Sequence, residues 1–176
     1  LFMDKQSNNK FRLDSRTKEE FTKDIKESTD IEAKLMQLYV DDLNKRKGEL
    51  LYTFSNNGCD NSGEYLSAKK VSTKADFILH KKGSKDRLIE IKFSKPDVSS
   101  FHLKCHQLES YIRQDNCIVM FTSIDDDNIR YTVLLPRNYR DYIDKGERKR
   151  FWGKDCVRLK TSDFDWCATA PLKDIN

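Results

Sequence analysis

Ala75-Asp76-Phe77-Ile78-Leu79-His80 and Leu88-Ile89-Glu90-Ile91-Lys92-Phe93 are the stretches whose reading decides the fold. Both are short, apolar-rich runs, and residues 81–86 between them, with Gly83 and Ser84, read as a hairpin turn. The second run alternates cleanly. Leu88, Glu90 and Lys92 face one way, while Ile89, Ile91 and Phe93 face the other. Asp76 stands near the start of the first strand. Antiparallel pairing therefore brings it to Glu90 and Lys92, although fourteen positions separate Asp76 from Glu90.

Two carboxylates and an amine at one spot are costly to bury unless they have work to do. They are also what metal-assisted phosphodiester hydrolysis needs. Hard carboxylate oxygens hold Mg²⁺ or Mn²⁺, and the metal neutralises the scissile phosphate and acidifies the attacking water. An ammonium can orient that water or stabilise charge developing on phosphate oxygens. The plain alternative is a solvent-facing Glu90–Lys92 pair with an exposed Asp76, since any alternating strand can yield Glu-x-Lys by chance.

Outward from the hairpin, residues 17–47 carry Phe21, Ile25, Ile31, Leu35, Leu38 and Leu43 at helical spacing. Ser28-Thr29-Asp30 interrupts this run and predicts a second helix starting at Ile31, with Gly48 as terminator. Residues 50–54 read as a strand and 55–63 as a turn-rich loop. Downstream, 99–114 reads as a helix, 117–124 as a buried strand, 129–135 as a further strand and 137–144 as a helix. Residues 1–16 lack periodicity and read as a flexible arm, leaving 17–176 as one domain. The order predicts an α/β fold, a mixed sheet with helices on its faces.

Ala75-Asp76 followed by Glu90-Ile91-Lys92 resembles the split D…ExK signature of the PD-(D/E)xK, or restriction-endonuclease-like, nucleases. Ala75 replaces the usual proline. The resemblance runs from about residue 29 to residue 124. It implies a central mixed sheet of four to five strands, with Asp76 and Glu90 as metal ligands, Lys92 as the catalytic lysine and the Ile91 carbonyl as a further ligand. The family often completes its metal site from the first helix, for which Glu32 is the best match and Glu27 and Glu20 weaker ones. Gln107-Leu108-Glu109-Ser110-Tyr111 is similar to the QxxxY element of the RecB and Cas4-like exonuclease branch. Holliday-junction resolvase-like and VRR-type nucleases place a comparable glutamine. One helical turn lets Gln107 and Tyr111 face the site together.

The chain of 176 residues has 35% charged and 37% hydrophobic residues, and its ten Phe, seven Tyr and two Trp argue against disorder. A net charge of +4 is a weak pointer to nucleic acid, but its distribution is stronger. Residues 137–160 hold nine Lys and Arg against four acids, with Tyr139, Tyr142, Phe151 and Trp152 interleaved. Arg137, Arg140, Arg148, Lys149, Arg150 and Lys154 are the expected nucleic-acid contacts. A solvated amphipathic helix followed by a charged loop would show the same composition.

The five cysteines form no CxxC pair, and no signal-peptide or membrane-spanning run is evident, so reduced thiols in an intracellular compartment are expected. His102 and His106, at i and i+4, would share a helix face without an evident third zinc ligand. The leading expectation is a Mg²⁺- or Mn²⁺-dependent nuclease acting on DNA, endo- or exonucleolytic, with a homodimer suited to so short a chain. A nuclease-fold binding module that has lost catalysis, or a ribonuclease, would fit the same fold. The intact Asp76, Glu90 and Lys92 weigh against lost catalysis.

Overall fold

Thr17 opens the first helix, α1 (Lys18–Lys47), with a capping box. Its hydroxyl accepts from the Glu20 N–H at 3.2 Å, and the Glu20 carboxylate accepts from the Thr17 N–H at 2.7 Å. Gly48 closes the helix in the left-handed region (φ 71°), after the cations Lys45, Arg46 and Lys47 in the last turn. The computed structural model from which this fold is read describes residues 17–57, 74–94, 98–123, 128–151 and 153–171. The expected arm at 1–16 and Cys59 lie outside the described residues.

The break expected at Ser28-Thr29-Asp30 does not occur, and α1 runs through it. Such residues each cost only about 0.5 kcal/mol in a helix. Leu35, Met36, Tyr39 and Val40 of the same helix are buried in the core, which outweighs that cost.

The strands follow as β1 (Tyr52–Asn56), β2 (Phe77–Lys81), β3 (Arg87–Ser94) and β4 (Ser100–Lys104). Helix α2 (Cys105–Gln114) leads to β5 (Asn116–Ser123) and β6 (Asn128–Leu134). A 3₁₀ turn at Pro136–Asn138 precedes α3 (Tyr139–Lys145), β7 (Glu147–Phe151), β8 (Lys154–Lys160) and β9 (Cys167–Pro171). Among the described residues the main sheet has six strands in the order β1-β2-β3-β5-β6-β9, more than the four to five expected. Its β3–β5 pair is parallel and its other pairs are antiparallel, so α2 lies in the crossover between parallel neighbours. A second sheet, β4-β8-β7, is antiparallel throughout.

The main sheet is covered on both sides. Ile89, Ile91, Cys117, Val119 and Phe121 pack in one cluster with α1, while Ile118 and Met120 join Leu108, Tyr111, Tyr139, Val157 and Leu159 in another. Strand β5 contributes alternate residues to each, the signature of a central strand. Among the described residues no helix is long and apolar enough to cross a membrane.

Two further expectations are corrected. The expected helix does not begin at 99, because Ser100–Lys104 form β4, whose Leu103 is held in the second cluster by pairing with β8. The basic stretch after α3 is neither helix nor loop but the strands β7 and β8, which pair across a turn at Gly153.

Candidate active site

The register of the hairpin carries Asp76 to Glu90. Phe77 of β2 pairs with Ile89 of β3, and one further step of that register sets Asp76 opposite Glu90. The ladder stops there. Ala75's carbonyl accepts instead from the side-chain amide of Asn57 (2.9 Å), and the Asp76 carboxylate accepts the backbone N–H of Ile91 (2.8 Å). Asn57's own N–H donates to the Asp76 carbonyl at 3.0 Å. A strand residue turns its N–H and C=O toward the same antiparallel neighbour, so the Ile91 carbonyl faces the gap that Asp76 occupies.

Glu90 is only 5% exposed, and one of its oxygens, Oε1, takes two donors. Lys92 Nζ and Tyr111 Oη both lie 2.6 Å from it. Lys92 comes from the same face of β3, two residues on, and its side chain keeps 28% of its surface exposed. Tyr111 comes from the buried face of α2. Its phenol is held well above its ordinary value, by burial first and by Glu90 next, so it stays a proton donor.

Electrostatics ties Asp76 and Lys92 to the same group. Burial, then the charge of Glu90, pushes the Asp76 carboxyl up to about 7, against the Ile91 N–H and Lys92, which pull it down. Burial works to depress Lys92, but Glu90, Asp76 and Glu32 outweigh it and raise its value, so the ammonium persists. Glu32 of α1 is thus the first-helix carboxylate whose charge reaches the group. Glu20 is spent in the capping box, and Glu27 lies against Lys23 (4.0 Å) on an exposed part of α1.

Among the described residues, no group of three or more His, Cys, Asp or Glu is gathered as a metal cluster. The donor set of Asp76 and Glu90, with the Ile91 carbonyl, nevertheless fits a hard divalent cation. All are oxygens, and the charge of Glu90 adds to burial in raising Asp76, a repulsion that a cation would relieve.

No protein-family model matches the chain, and no curated protein matches it by sequence. Among solved structures it is similar to Hjc, a Holliday junction resolvase from Archaeoglobus fulgidus, with 12% identity, over 70% of this chain and 85% of that one. The TM-score is 0.35, too loose a likeness to carry weight.

The other expected residues are scattered by comparison. Gln107 is half-buried on α2, one turn before Tyr111. Arg137 and Arg140 are exposed on the 3₁₀ turn and α3, whereas Arg148, Lys149 and Arg150 are exposed on β7 and Lys154 opens β8. His102 and His106 do not share a helix face, because His102 lies on β4 and His106 on α2. Asn57, which holds the Asp76 segment, was invisible in the sequence as one asparagine of a turn-rich loop. Arg158, one of the nine cations of 137–160, was not among the expected contacts, and it lies on β8. The alternation of Val157 and Leu159 with Cys156, Arg158 and Lys160 is the signal that would have found a strand there.

Proposed function

We propose that this chain is a metal-dependent nuclease that hydrolyses phosphodiester bonds, with DNA as the favoured substrate and Asp76, Glu90 and Lys92 as its catalytic group. The observation that carries this reading is the convergence of two carboxylates and a lysine where the β2–β3 ladder opens. Mg²⁺ or Mn²⁺, held by Asp76, Glu90 and the Ile91 carbonyl with Glu32 completing the set, would supply charge neutralisation and an acidified water. Lys92 stays protonated beside Glu90, so its ammonium can orient the attacking water or stabilise charge on the phosphate oxygens. Tyr111 fixes the Glu90 carboxylate from α2, and Gln107, one turn away, borders the same helix face.

The test is incubation of linear duplex, single-stranded and branched DNA and single-stranded RNA with the chain in Mg²⁺, Mn²⁺ or EDTA. Glu90→Gln and Lys92→Ala, shown to be folded by circular dichroism, are run alongside. Cleavage that needs metal and disappears in both variants is expected. Retained activity in either variant removes the assigned site, and binding without cleavage by the wild type would point to a nucleic-acid-binding module instead.

A further inference from the structure

The face of the main sheet that carries Glu90 and Lys92 holds a second set of reactive side chains toward its edge. Period two sets Leu88 of β3, Ile78 and His80 of β2 and Ser55 of β1 on that same face. Leu79 pairs with Arg87, so one further step of the register puts Asp86 across from His80. On its other side His80 pairs with Thr53, and Ser55 stands diagonally from it. Ser55 Oγ lies 2.8 Å from His80 Nε2, and Asp86 Oδ1 lies 3.0 Å from His80 Nδ1.

Each ring nitrogen therefore has its own partner. The Asp86 carboxylate accepts the Nδ1–H of the neutral ring, which leaves the Nε2 lone pair to accept the Ser55 hydroxyl. Hydroxyl to imidazole to carboxylate is the order in which a serine becomes a nucleophile. The imidazole takes the hydroxyl proton, and the carboxylate fixes the ring's tautomer and orientation. A tether between the β2–β3 turn and β1 would use the same bonds, but such bonds hold best away from water. Here Ser55 is exposed, and the side chains of His80 and Asp86 keep 37% and 55% of their surface. Strand β1 is the outermost of the sheet, so a small molecule reaches Ser55 from the edge.

We propose that Ser55, His80 and Asp86 form a second, metal-independent site, at which aryl esters or thioesters acylate Ser55 and water then removes the acyl group. The three residues supply a nucleophile and a base, so the acyl donor must bring a good leaving group. Ser55 Oγ bonds to the carbonyl carbon while its proton passes to His80 Nε2. The bond from that carbon to the phenolate or thiolate breaks, and the leaving group takes the proton. Water then attacks the same carbon, giving a proton to His80, which returns it to Ser55 Oγ as the carboxylic acid departs. The row that starts at Ser55 continues to Ile78 and Leu88, both half-buried, which offers an apolar acyl chain a floor.

The experiment is hydrolysis of p-nitrophenyl butyrate in EDTA by the full chain, Ser55→Ala, Ser55→Cys, His80→Gln and Asp86→Asn. Nitrophenolate release is read by absorbance, and the acylated residue by peptide mass mapping of acid-quenched protein. A butyryl group on Ser55 is expected in the wild type. Ser55→Ala should lose both the group and the turnover, while Ser55→Cys should carry it as a thioester. His80→Gln should slow acylation about 100-fold or more. Asp86→Asn should slow it about tenfold or more with the saturation constant of that step unchanged, because Asp86 acts through the ring and not on the ester.

No butyryl group on Ser55, or butyrylation confined to lysines, overturns the proposal. So does Ser55→Ala hydrolysing as fast as the wild type, which would leave His80 as an imidazole acting on the ester directly. Asp86→Asn acylated at the wild-type rate removes the three-residue assignment. Should Ser55→Ala fail to fold, the wild-type map and Ser55→Cys decide. The nuclease reading stands or falls separately, since this site uses neither metal nor the Asp76, Glu90 and Lys92 group.

Discussion

The carboxylate of Asp76 accepts the backbone N–H of Ile91 at 2.8 Å, so one side chain stands where a strand carbonyl would and ties together the two halves of the proposed catalytic group. That bond favours the ionised carboxylate, yet burial and Glu90 hold the group up to about 7. A carboxyl raised from 3.8 to about 7 binds its proton more tightly in the native chain than in the unfolded one. Its contribution to stability is therefore complete below about 4 and is lost as the pH rises to about 7. In EDTA, Asp76→Asn should match the wild type in melting temperature near pH 4 and exceed it increasingly toward pH 8. A pH-independent gap between the two would contradict the assigned electrostatics.

Asn57 should matter to the site without touching a substrate. Its amide holds the Ala75 carbonyl and its N–H holds that of Asp76, so Asn57→Ala frees the segment just before β2. A stability loss of about 1 kcal/mol is expected from one hydrogen bond. Cleavage should fall further than stability explains, with a weakened metal affinity that excess Mn²⁺ overcomes. Unchanged metal titration would make Asn57 a purely structural residue.

Tyr111 and Lys92 share Glu90 Oε1, so their removal should not be equivalent. Tyr111→Phe keeps the ring in the core and strips the phenol from a buried carboxylate, a loss of about 1.5–3 kcal/mol in stability by denaturant unfolding. Cleavage should drop by about 10- to 100-fold, whereas Lys92→Ala should abolish it. Gln107→Ala, half-buried one turn away, should show the smallest effect. An effect as large as that of Lys92→Ala would move Gln107 into direct contact with the metal or the phosphate.

The hairpin of Asp76 and Glu90 was legible because a period of two carries both side-chain direction and cross-strand pairing. The continuous apolar run of β5 was legible for a related reason, since only a strand covered on both faces reads that way. β4 was not. Phe101 and Leu103 sit just before a helical pattern, and what makes 100–104 a strand is its partner β8, far along the chain. The continuity of α1 through Ser28-Thr29-Asp30 was hidden likewise, because the burial that sustains it comes from the sheet beneath Leu35 and Tyr39. In the site, the residue types were readable, but the opening of the ladder by Asn57 was not, because it arises from tertiary placement.

Gly146 offers a test of the join between α3 and the second sheet. A Cβ there would meet Val157 Cγ1 at 2.1 Å and the Tyr142 carbonyl at 2.5 Å. Val157 is fully buried, and the carbonyl is backbone that accepts Gly146's own N–H, so neither can withdraw. Gly146→Ala should cost about 1–3 kcal/mol, as overpacking does. The loss should appear in the denaturant midpoint without a change in slope.

Metal should stabilise the native chain through the same carboxylates that repel each other without it. A ligand bound only by the folded state adds about 2.7 kcal/mol at a hundredfold excess over its dissociation constant, or roughly 5–10 °C for a chain of this size. Mn²⁺ should therefore raise the melting temperature at pH 7.5 in the wild type. Glu90→Gln should abolish that rise, because an amide oxygen cannot replace the charge. Glu32→Gln should reduce it, since its charge already reaches Lys92 in the metal-free chain. Zn²⁺ serves as the contrast, because hard oxygen donors without imidazole or thiolate suit Mg²⁺ and Mn²⁺ better. A Mn²⁺ shift that survives Glu90→Gln unchanged would place the metal elsewhere and leave Asp76 and Glu90 as a buried polar pair.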